Sequence, residues 1–251
     1  MSTDSAWEAW GQREPYFGVI TNPKFRKSEL TPEAKEEFFA SGHAHVEHVM
    51  QMIRRYVDPD FRPHAILDFG CGVGRLVVPF AKLGTVVFGT DVSVAMLDEA
   101  RKNCAELGIT NVELLRSDDE LSVVNRKFDL VHSYIVFQHI PADRGRVIFT
   151  NLLRLLPARG VGAIHVSYSK VQYEATHGLA PPPPIVTGTN GAKKPAAPTP
   201  AAPGADPEMQ MNPYHLNELL FMMQRAGVRR FHAELTDHGG ELGVFLFFQK
   251  S

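Results

Sequence analysis

The sequence predicts an α/β fold with a doubly wound, mostly parallel sheet, a C-terminal antiparallel hairpin and an N-terminal helical cap. The main observation lies between 64 and 169, where apolar runs typical of strands alternate with helical stretches. The strand runs are 65–69, 86–91, 112–117, 128–134 and 161–168, and the helical stretches lie near 75–83, 93–107 and 141–156. Strands that alternate with helices of this length form a parallel sheet covered on both faces.

Residues 1–62 are predicted to form the helical cap. Thr31 is placed to cap a helix that has Pro32 at its first position. The apolar residues that follow recur at helical spacing and are Phe38, Phe39, Val46, Val49, Met50, Ile53 and Tyr56.

Three histidines on this helix, His43, His45 and His48, raise the question of a metal site. Only His45 and His48 share a helix face, and no carboxylate completes a ligand set at suitable spacing. We therefore expect a polar face over the functional site and no metal.

Residues 63–251 are predicted to form one domain, interrupted by a flexible insertion at about 174–211. Nine of the 18 prolines lie between Pro181 and Pro207, a composition that buries too little apolar surface to offset its ordering entropy. The insertion leaves the carboxyl end of the fifth strand, so it is either a mobile lid or a passive linker. After it, a helix at 214–226 and two strands joined through 237–240 indicate a hairpin.

Composition and charge argue against several classes of protein. The formal net charge is −2 and no long run of Lys or Arg is present, so a nucleic-acid partner is not expected. No leader and no apolar stretch long enough for a membrane span is recognised, which predicts a cytoplasmic protein. With only Cys71 and Cys104, a disulfide framework is excluded.

The sharpest motif is ILDFGCGVGRL at 66–76, where an apolar strand ends at Asp68 and continues into Gly70, Gly72 and Gly74. Glycines let the backbone approach a ligand closely, and the following helix N-terminus favours negative charge. The dinucleotide fingerprint GxGxxG would need a third glycine at Arg75, so the match is to GxGxG. The alternative interpretation is a tight structural turn.

Acidic residues follow the second and third strands. A carboxylate at Asp91 can accept both ribose hydroxyls of an adenosine. The alternative role of Asp91 is to support the start of the helix near Ser93. After the third strand, an Asp at 118 or 119 can accept from the exocyclic amine of adenine, although adjacent acids are commonly a solvated turn.

With TDVSVAMLDEARKN, SDDEL, FDLVHSYIVFQHI and LLRLLPARGVGAIHV, this motif resembles the class I methyltransferases that depend on S-adenosylmethionine (SAM). The resemblance covers 64–169 closely and 213–251 loosely, and it implies a Rossmann-like seven-stranded sheet and SAM as cofactor. It further implies cofactor contacts from the loop Asp68, Gly70, Cys71, Gly72 and Gly74, from Asp91, Val92 and Met96 near the adenosine, from Asp118 and Asp119 near the adenine, and from Ser133 with Tyr134 near the methyl group.

Methyl transfer needs mainly the positioning of an acceptor in line with the methyl group, and a hydroxyl acceptor also needs a base. His139, just past the fourth strand, is the candidate base. The alternative is a structural histidine bonded to the helical cap. Tyr134 and Tyr168, at the ends of the fourth and fifth strands, are the other polar groups expected in the crevice.

The expected acceptor is a small molecule enclosed by the cap, with O, N and S all open as the methylated atom. Aromatic residues offered for such a pocket are Tyr16, Phe17, Phe25 and Phe39. Two alternatives remain: an NAD-linked oxidoreductase, disfavoured by the missing third glycine, and a non-catalytic SAM-binding protein, which the sequence does not exclude.

Overall fold

The computed structural model describes residues 2–179 and 205–251. The N-terminal part is helical and comprises α1 (Thr3–Arg13), α2 (Pro15–Val19), a 3-10 turn (Pro23–Phe25) and α3 (Pro32–Tyr56). Thr31 Oγ1 accepts from the Ala34 N–H at 3.2 Å and Pro32 opens the first turn, which confirms the predicted start of α3.

The described residues contain a seven-stranded sheet. Its strands are β1 (Ala65–Phe69), β2 (Val86–Asp91), β3 (Val112–Arg116), β4 (Leu130–Ser133), β5 (Val161–Lys170), β6 (Val228–Asp237) and β7 (Glu241–Lys250). The spatial order is β3-β2-β1-β4-β5-β7-β6. β1 to β5 pair in parallel, and β7 is antiparallel to both β5 and β6. The mostly parallel sheet and the C-terminal hairpin are therefore confirmed.

Helices cover both faces of the sheet, as predicted. The remaining helices are α4 (Val77–Ala81), α5 (Val94–Glu106), α6 (Ala142–Leu155) and α7 (Leu216–Arg225). One hydrophobic core joins the N-terminal helices, α4 and α5 to one face, and a second joins α6 and α7 to the other. β7 is buried from Gly243 to Phe248 because it lies between two strands and under both layers.

α4 is shorter than the 75–83 stretch predicted for it. The chain from 70 to 76 follows a curved loop before the helix starts, and Gly70, Gly72 and Gly74 have φ angles of 75°, 52° and 85°. This left-handed backbone is open to glycine at little cost and cannot belong to an α-helix.

The predicted insertion at 174–211 falls largely on 180–204, outside the described residues. On its near side, a 3-10 helix covers Val171–Thr176. On its far side, 205–211 contacts the N-terminal helices, where Arg26 pairs with Asp206 and Thr3 Oγ1 donates to Gln210 Oε1 at 3.1 Å. Among the helices of the described ranges, none is both long and apolar enough to cross a membrane.

Candidate active site

A cavity of about 630 Å³ opens at the carboxyl ends of β1, β2 and β4. It lies beside the point where the strand order reverses between β1 and β4, which is where ligands bind in open α/β sheets. Trp7 of α1, Val19 of α2 and the methionines Met209 and Met211 close its outer side. Of the residues assigned from the sequence, its wall contains Asp68, Gly70, Cys71, Gly72, Asp91, Val92, Met96, Asp118, Asp119, Tyr134 and His139.

The glycine loop brings backbone against the cavity. The N–H groups of Gly70 and Cys71 donate to Thr90 O at 2.7 and 2.9 Å, which ties the loop to the end of β2. A Cβ atom at Gly72 would stand 2.8 Å from Val19 Cγ2, so a side chain there would collide with α2. The loop therefore needs glycine for both conformation and space.

Asp91 holds this loop and the start of α5 together. Its Oδ2 accepts from the Gly72 N–H and its Oδ1 accepts from the Ser93 N–H, each at 2.9 Å. Burial raises the pKa of Asp91 to about 6, against the opposing effect of these backbone hydrogen bonds. A carboxylate offers about four lone-pair sites, so Asp91 retains acceptor capacity toward the cavity.

The two acids after β3 are in different surroundings. Asp118 accepts from the Ser122 N–H at 2.8 Å and from the Ser122 hydroxyl, and these bonds lower the pKa of Asp118. Asp119 accepts a bidentate pair from Arg144 Nε and Nη2 at 2.8 and 2.7 Å. Arg144 also donates to Asp4 of α1 at 2.9 Å, so the acid pair is linked to the N-terminal helix.

Asp68 and Arg75 both line the cavity and each keeps an unused buried atom. Asp68 Oδ1 is 2.8 Å from His132 Nδ1, whereas Asp68 Oδ2 has no partner among residues 2–179 and 205–251. Within the same ranges Arg75 Nε is also unpartnered, and Arg75 Nη1 donates to Ser41 Oγ at 3.3 Å. Unsatisfied buried acceptors and donors are uncommon in native proteins. The pair is chemically complementary to a ligand that carries an ammonium and a carboxylate.

His139 lies in the wall of the cavity, and its Nε2 is 3.4 Å from Gln138 Nε2. Its Nδ1 is 2.8 Å from Gln210 O, and because a carbonyl only accepts, Nδ1 carries the proton and Nε2 carries the lone pair. Burial lowers the pKa of His139 to about 4, so the ring is neutral at physiological pH. The ring packs 4.9 Å from Trp7, centroid to centroid. The hydrogen bond thus goes to the 205–211 segment, and Trp7 of α1 supplies the ring contact.

Comparison with known proteins adds a family assignment. Residues 66–160 match the family model described as "Methyltransferase domain". Residues 66–160, less than half of the chain, are therefore similar to a methyltransferase domain.

The methyltransferase domain has relatives in several organisms. The chain is 30% identical over 94 residues to magnesium-protoporphyrin O-methyltransferase of Synechocystis, covering 38% of this chain and 41% of the relative. It is 39% identical over 92 residues to aklanonic acid methyltransferase DauC of Streptomyces, covering 34% and 42%. The chain thus spans less than half the length of these relatives.

The fold of the methyltransferase domain also matches solved structures. The crystal structure of magnesium protoporphyrin IX methyltransferase from Synechocystis with bound SAH has a TM-score of 0.61 at 18% identity, covering 98% of this chain and 95% of that chain. At this identity the likeness shows the fold, a Rossmann-like seven-stranded sheet.

Three residues assigned to the site from the sequence do not line the cavity of the methyltransferase domain. The Ser133 hydroxyl is fully buried and donates to Phe69 O at 3.0 Å. Gly74 lies against Ala100 of α5, where it permits close helix packing. Tyr168 stands at a β-bulge between Ser167 and Ser169 and packs against the α6–α7 core.

The aromatic residues expected to line an acceptor pocket also lie elsewhere. Tyr16, Phe17, Phe25 and Phe39 are buried in the core to which the N-terminal helices belong. Tyr16, for example, donates to Asn103 Oδ1 at 2.8 Å instead of facing the cavity. The N-terminal helices α1 and α2 line the cavity with Trp7 and Val19 instead.

Several residues at the cavity were not predicted as functional. Arg75 was considered only as the position of a missing glycine, and Arg144, Met209 and Met211 were not considered. His132 was also missed, although a histidine inside the apolar run of β4 was a usable signal. Among the described residues, no group of three His, Cys, Asp or Glu side chains is placed to hold a metal ion.

Proposed function

We propose that this protein transfers a methyl group from SAM to a small-molecule acceptor. The observation that carries the proposal is the pair of unused buried atoms, Asp68 Oδ2 and Arg75 Nε, in the wall of one cavity with Asp91. SAM has an ammonium, a carboxylate and a ribose diol, which these three side chains complement in that order.

The remaining cofactor contacts follow from the same cavity wall. Val92 and Met96 offer apolar surface to the adenosine, and Asp118 offers an acceptor to the adenine amine. Asp119 is already paired with Arg144, so we assign it to holding the wall in place. When bound, SAM supplies an electrophilic methyl group on a sulfonium.

The protein's own contribution to the reaction is to position the acceptor and to take its proton. Since Nδ1 is held by Gln210 O, the lone pair on His139 Nε2 can accept a proton from a hydroxyl acceptor in place of its long 3.4 Å contact with Gln138 Nε2. Tyr134, whose pKa burial raises, offers a neutral hydroxyl in the same cavity. Placing the acceptor in a near-attack geometry provides most of the acceleration.

A small acceptor is supported by the size of the cavity and by the names of relatives. A volume of about 630 Å³ lies within the range of small-ligand sites and must hold both cofactor and acceptor. The names of the relatives refer to magnesium protoporphyrin, ubiquinone biosynthesis and aklanonic acid. Residues 1–62 serve in this proposal as the cap of a domain at 63–251, and the two free buried cysteines support a reducing, cytoplasmic location.

Ligand-induced stabilisation tests the cofactor assignment directly. SAM or S-adenosylhomocysteine (SAH) at 100 times its Kd should stabilise the protein by about 2.7 kcal/mol, which raises Tm by roughly 5–11 °C for a chain of this size. NADH serves as the control ligand. Stabilisation by NADH and not by SAM or SAH would overturn the proposal and favour an oxidoreductase.

Turnover is tested by SAH release over a library of phenols, carboxylic acids, amines and thiols. With an active acceptor, His139→Gln should lower kcat while SAH affinity stays within about twofold, because His139 acts on the acceptor. SAM binding without SAH release from any acceptor would favour a non-catalytic SAM-binding protein.

A further inference from the structure

His132 lies at the centre of a buried hydrogen-bonded chain beside the cofactor end of the cavity. β1 and β4 are paired in parallel with Asp68 opposite His132, so the two side chains emerge on the same face of the sheet. His132 is 0% exposed, and its Nδ1 is 2.8 Å from Asp68 Oδ1. A polar pair at the centre of a parallel sheet is costly unless each atom is satisfied.

A second histidine completes the chain from the other side. His45 of α3 places its Nε2 at 3.0 Å from His132 Nε2, so one of these two nitrogens donates and the other accepts. The carboxylate of Asp68 only accepts, which puts a proton on His132 Nδ1. The chain from His45 through His132 therefore ends in a hydrogen bond donated to Asp68 Oδ1.

The surroundings keep His45 neutral and in place. Burial, followed by the nearby His132, lowers the pKa of His45 to about 2. The His45 ring contacts Tyr134 at 4.2 Å and lies stacked on Phe245 at 5.8 Å, centroid to centroid. These ring contacts hold His45 beside His132.

We propose that His132, held by His45, is a positioning residue that fixes the Asp68 carboxylate with its Oδ2 turned toward the ammonium group of SAM. The proposal deepens the SAM assignment above and rests on it. With Oδ1 held by His132, the carboxylate cannot rotate to pair Oδ2 elsewhere, which accounts for a buried acceptor left open at the cavity.

The proposal also links α3 to the cofactor. His45 belongs to α3, whereas Asp68 belongs to the sheet. The orientation of the carboxylate therefore depends on the position of α3 relative to the sheet. If the two histidines only filled the core, replacing them would lower the affinity of the cavity for all of its ligands alike.

Two ligands separate these roles. SAH carries the methionine-derived ammonium, whereas 5′-methylthioadenosine has the same adenosine and thioether without the amino-acid part. Calorimetry with both ligands on wild type and variants gives the ratio of the two affinities. Wild type that binds neither ligand would overturn the SAM assignment itself.

His132→Leu should lower SAH affinity by about tenfold, the scale of losing support for one charge-assisted hydrogen bond, and leave 5′-methylthioadenosine affinity within about twofold. His132→Asn should retain most SAH affinity, because its amide can donate to Asp68 Oδ1. Phe80→Leu is the matched control, since Phe80 packs on the His132 ring at 5.0 Å without a hydrogen bond; its affinity ratio should stay at the wild-type value.

His45→Phe provides a second route if His132→Leu does not fold. This variant keeps an aromatic ring beside Tyr134 and removes the hydrogen-bond partner of His132 Nε2, so SAH affinity should fall by several-fold with 5′-methylthioadenosine unchanged. Equal losses for both ligands in these variants, or unchanged SAH affinity in all of them, would overturn the positioning role.

Discussion

Replacement of Asp91 separates its two roles, holding the glycine loop and binding the ribose. Asp91→Ala leaves the Gly72 and Ser93 N–H groups without their acceptors, at about 1–3 kcal/mol each. A second effect on the free energy of unfolding has the opposite sign. Burial raises the pKa of Asp91 from 3.8 to about 6, so at neutral pH the ionised carboxylate destabilises the folded protein by about 3 kcal/mol. This opposition is present above pH 6 and disappears as the pH falls to 3.8.

The two effects largely cancel in the free energy of unfolding. Asp91→Ala should therefore destabilise the protein by at most about 3 kcal/mol, and Asp91→Asn, which keeps one acceptor oxygen, by less. Both variants should lose about 1.5–3 kcal/mol of SAH binding, a drop of roughly 10- to 150-fold, because the charged acceptor for the ribose diol is gone.

The assay is calorimetric titration with SAH, combined with chemical denaturation of each variant. Asp98→Asn is the matched control, since Asp98 is an exposed acid on α5 that pairs with Arg101. Wild-type SAH affinity in Asp91→Asn would refute the ribose assignment, and an unfolded Asp91→Asn protein would refute the estimate of cancelling terms.

Three further predictions follow from the same contacts. Gly72→Val should abolish SAH binding because the added side chain collides with Val19. Gly108→Val is the control and should bind normally, since Gly108 also has a positive φ, 66°, but a Cβ there would have no atom within 4 Å. Normal SAH binding by Gly72→Val would refute the loop assignment. Arg144→Met should speed hydrogen exchange in α1 more than in α5, because it removes the ion pairs of Arg144 with Asp4 and with Asp119. Arg101→Met is the control. Equal effects of the two substitutions on α1 would contradict a role of Arg144 in holding α1. Stability should fall as the pH drops below about 6.5 by up to about 1.4 kcal/mol per pH unit for each buried histidine whose folded pKa is depressed, as denaturation between pH 7 and 4.5 would show. His165→Gln should reduce this slope, and an unchanged slope would contradict the prediction. The histidines concerned are His45, His139 and His165, with pKa values near 2, 4 and 3.

Most of the sheet was predictable from the sequence because its strands are short apolar runs bounded by helical stretches. β1 and β2 have the predicted ends, and β3 differs by one residue. The helix α1 was not predicted, because its stability depends on tertiary contacts rather than on its own apolar pattern. Glu8, for instance, accepts from the Ser93 hydroxyl at 2.9 Å and so ties α1 to the start of α5.

The parts of the candidate site formed by residues close together in sequence could be predicted. The parts that depend on the pairing of distant strands and helices could not. Asp91 and the glycine loop are recognised from residue types and spacing alone. The contact of His132 with Asp68 depends on the pairing of two strands whose residues lie 64 positions apart. The contact of His45 with His132 depends on where α3 packs against the sheet. Tyr168 was expected in the crevice from its place near a strand end, but the β-bulge beside it changes which way β5 presents its side chains.

The pairing of β6 has a consequence for folding and for the length of the chain that precedes it. In the described sheet β6 borders only β7, and their connecting turn uses Gly239 and Gly240 at φ 72° and 95°. Hairpins of this kind form in about 1–10 μs, whereas pairings between strands far apart in sequence form more slowly. We therefore expect β6 and β7 to pair before β7 pairs with β5. Since loop-closure entropy rises by only about 0.6 kcal/mol for each doubling of length, the number of residues between Thr176 and the 205–211 segment has little effect on the free energy of closing this pairing. The 205–211 segment itself is constrained, because Gln210 O holds His139 and Met209 lines the cavity.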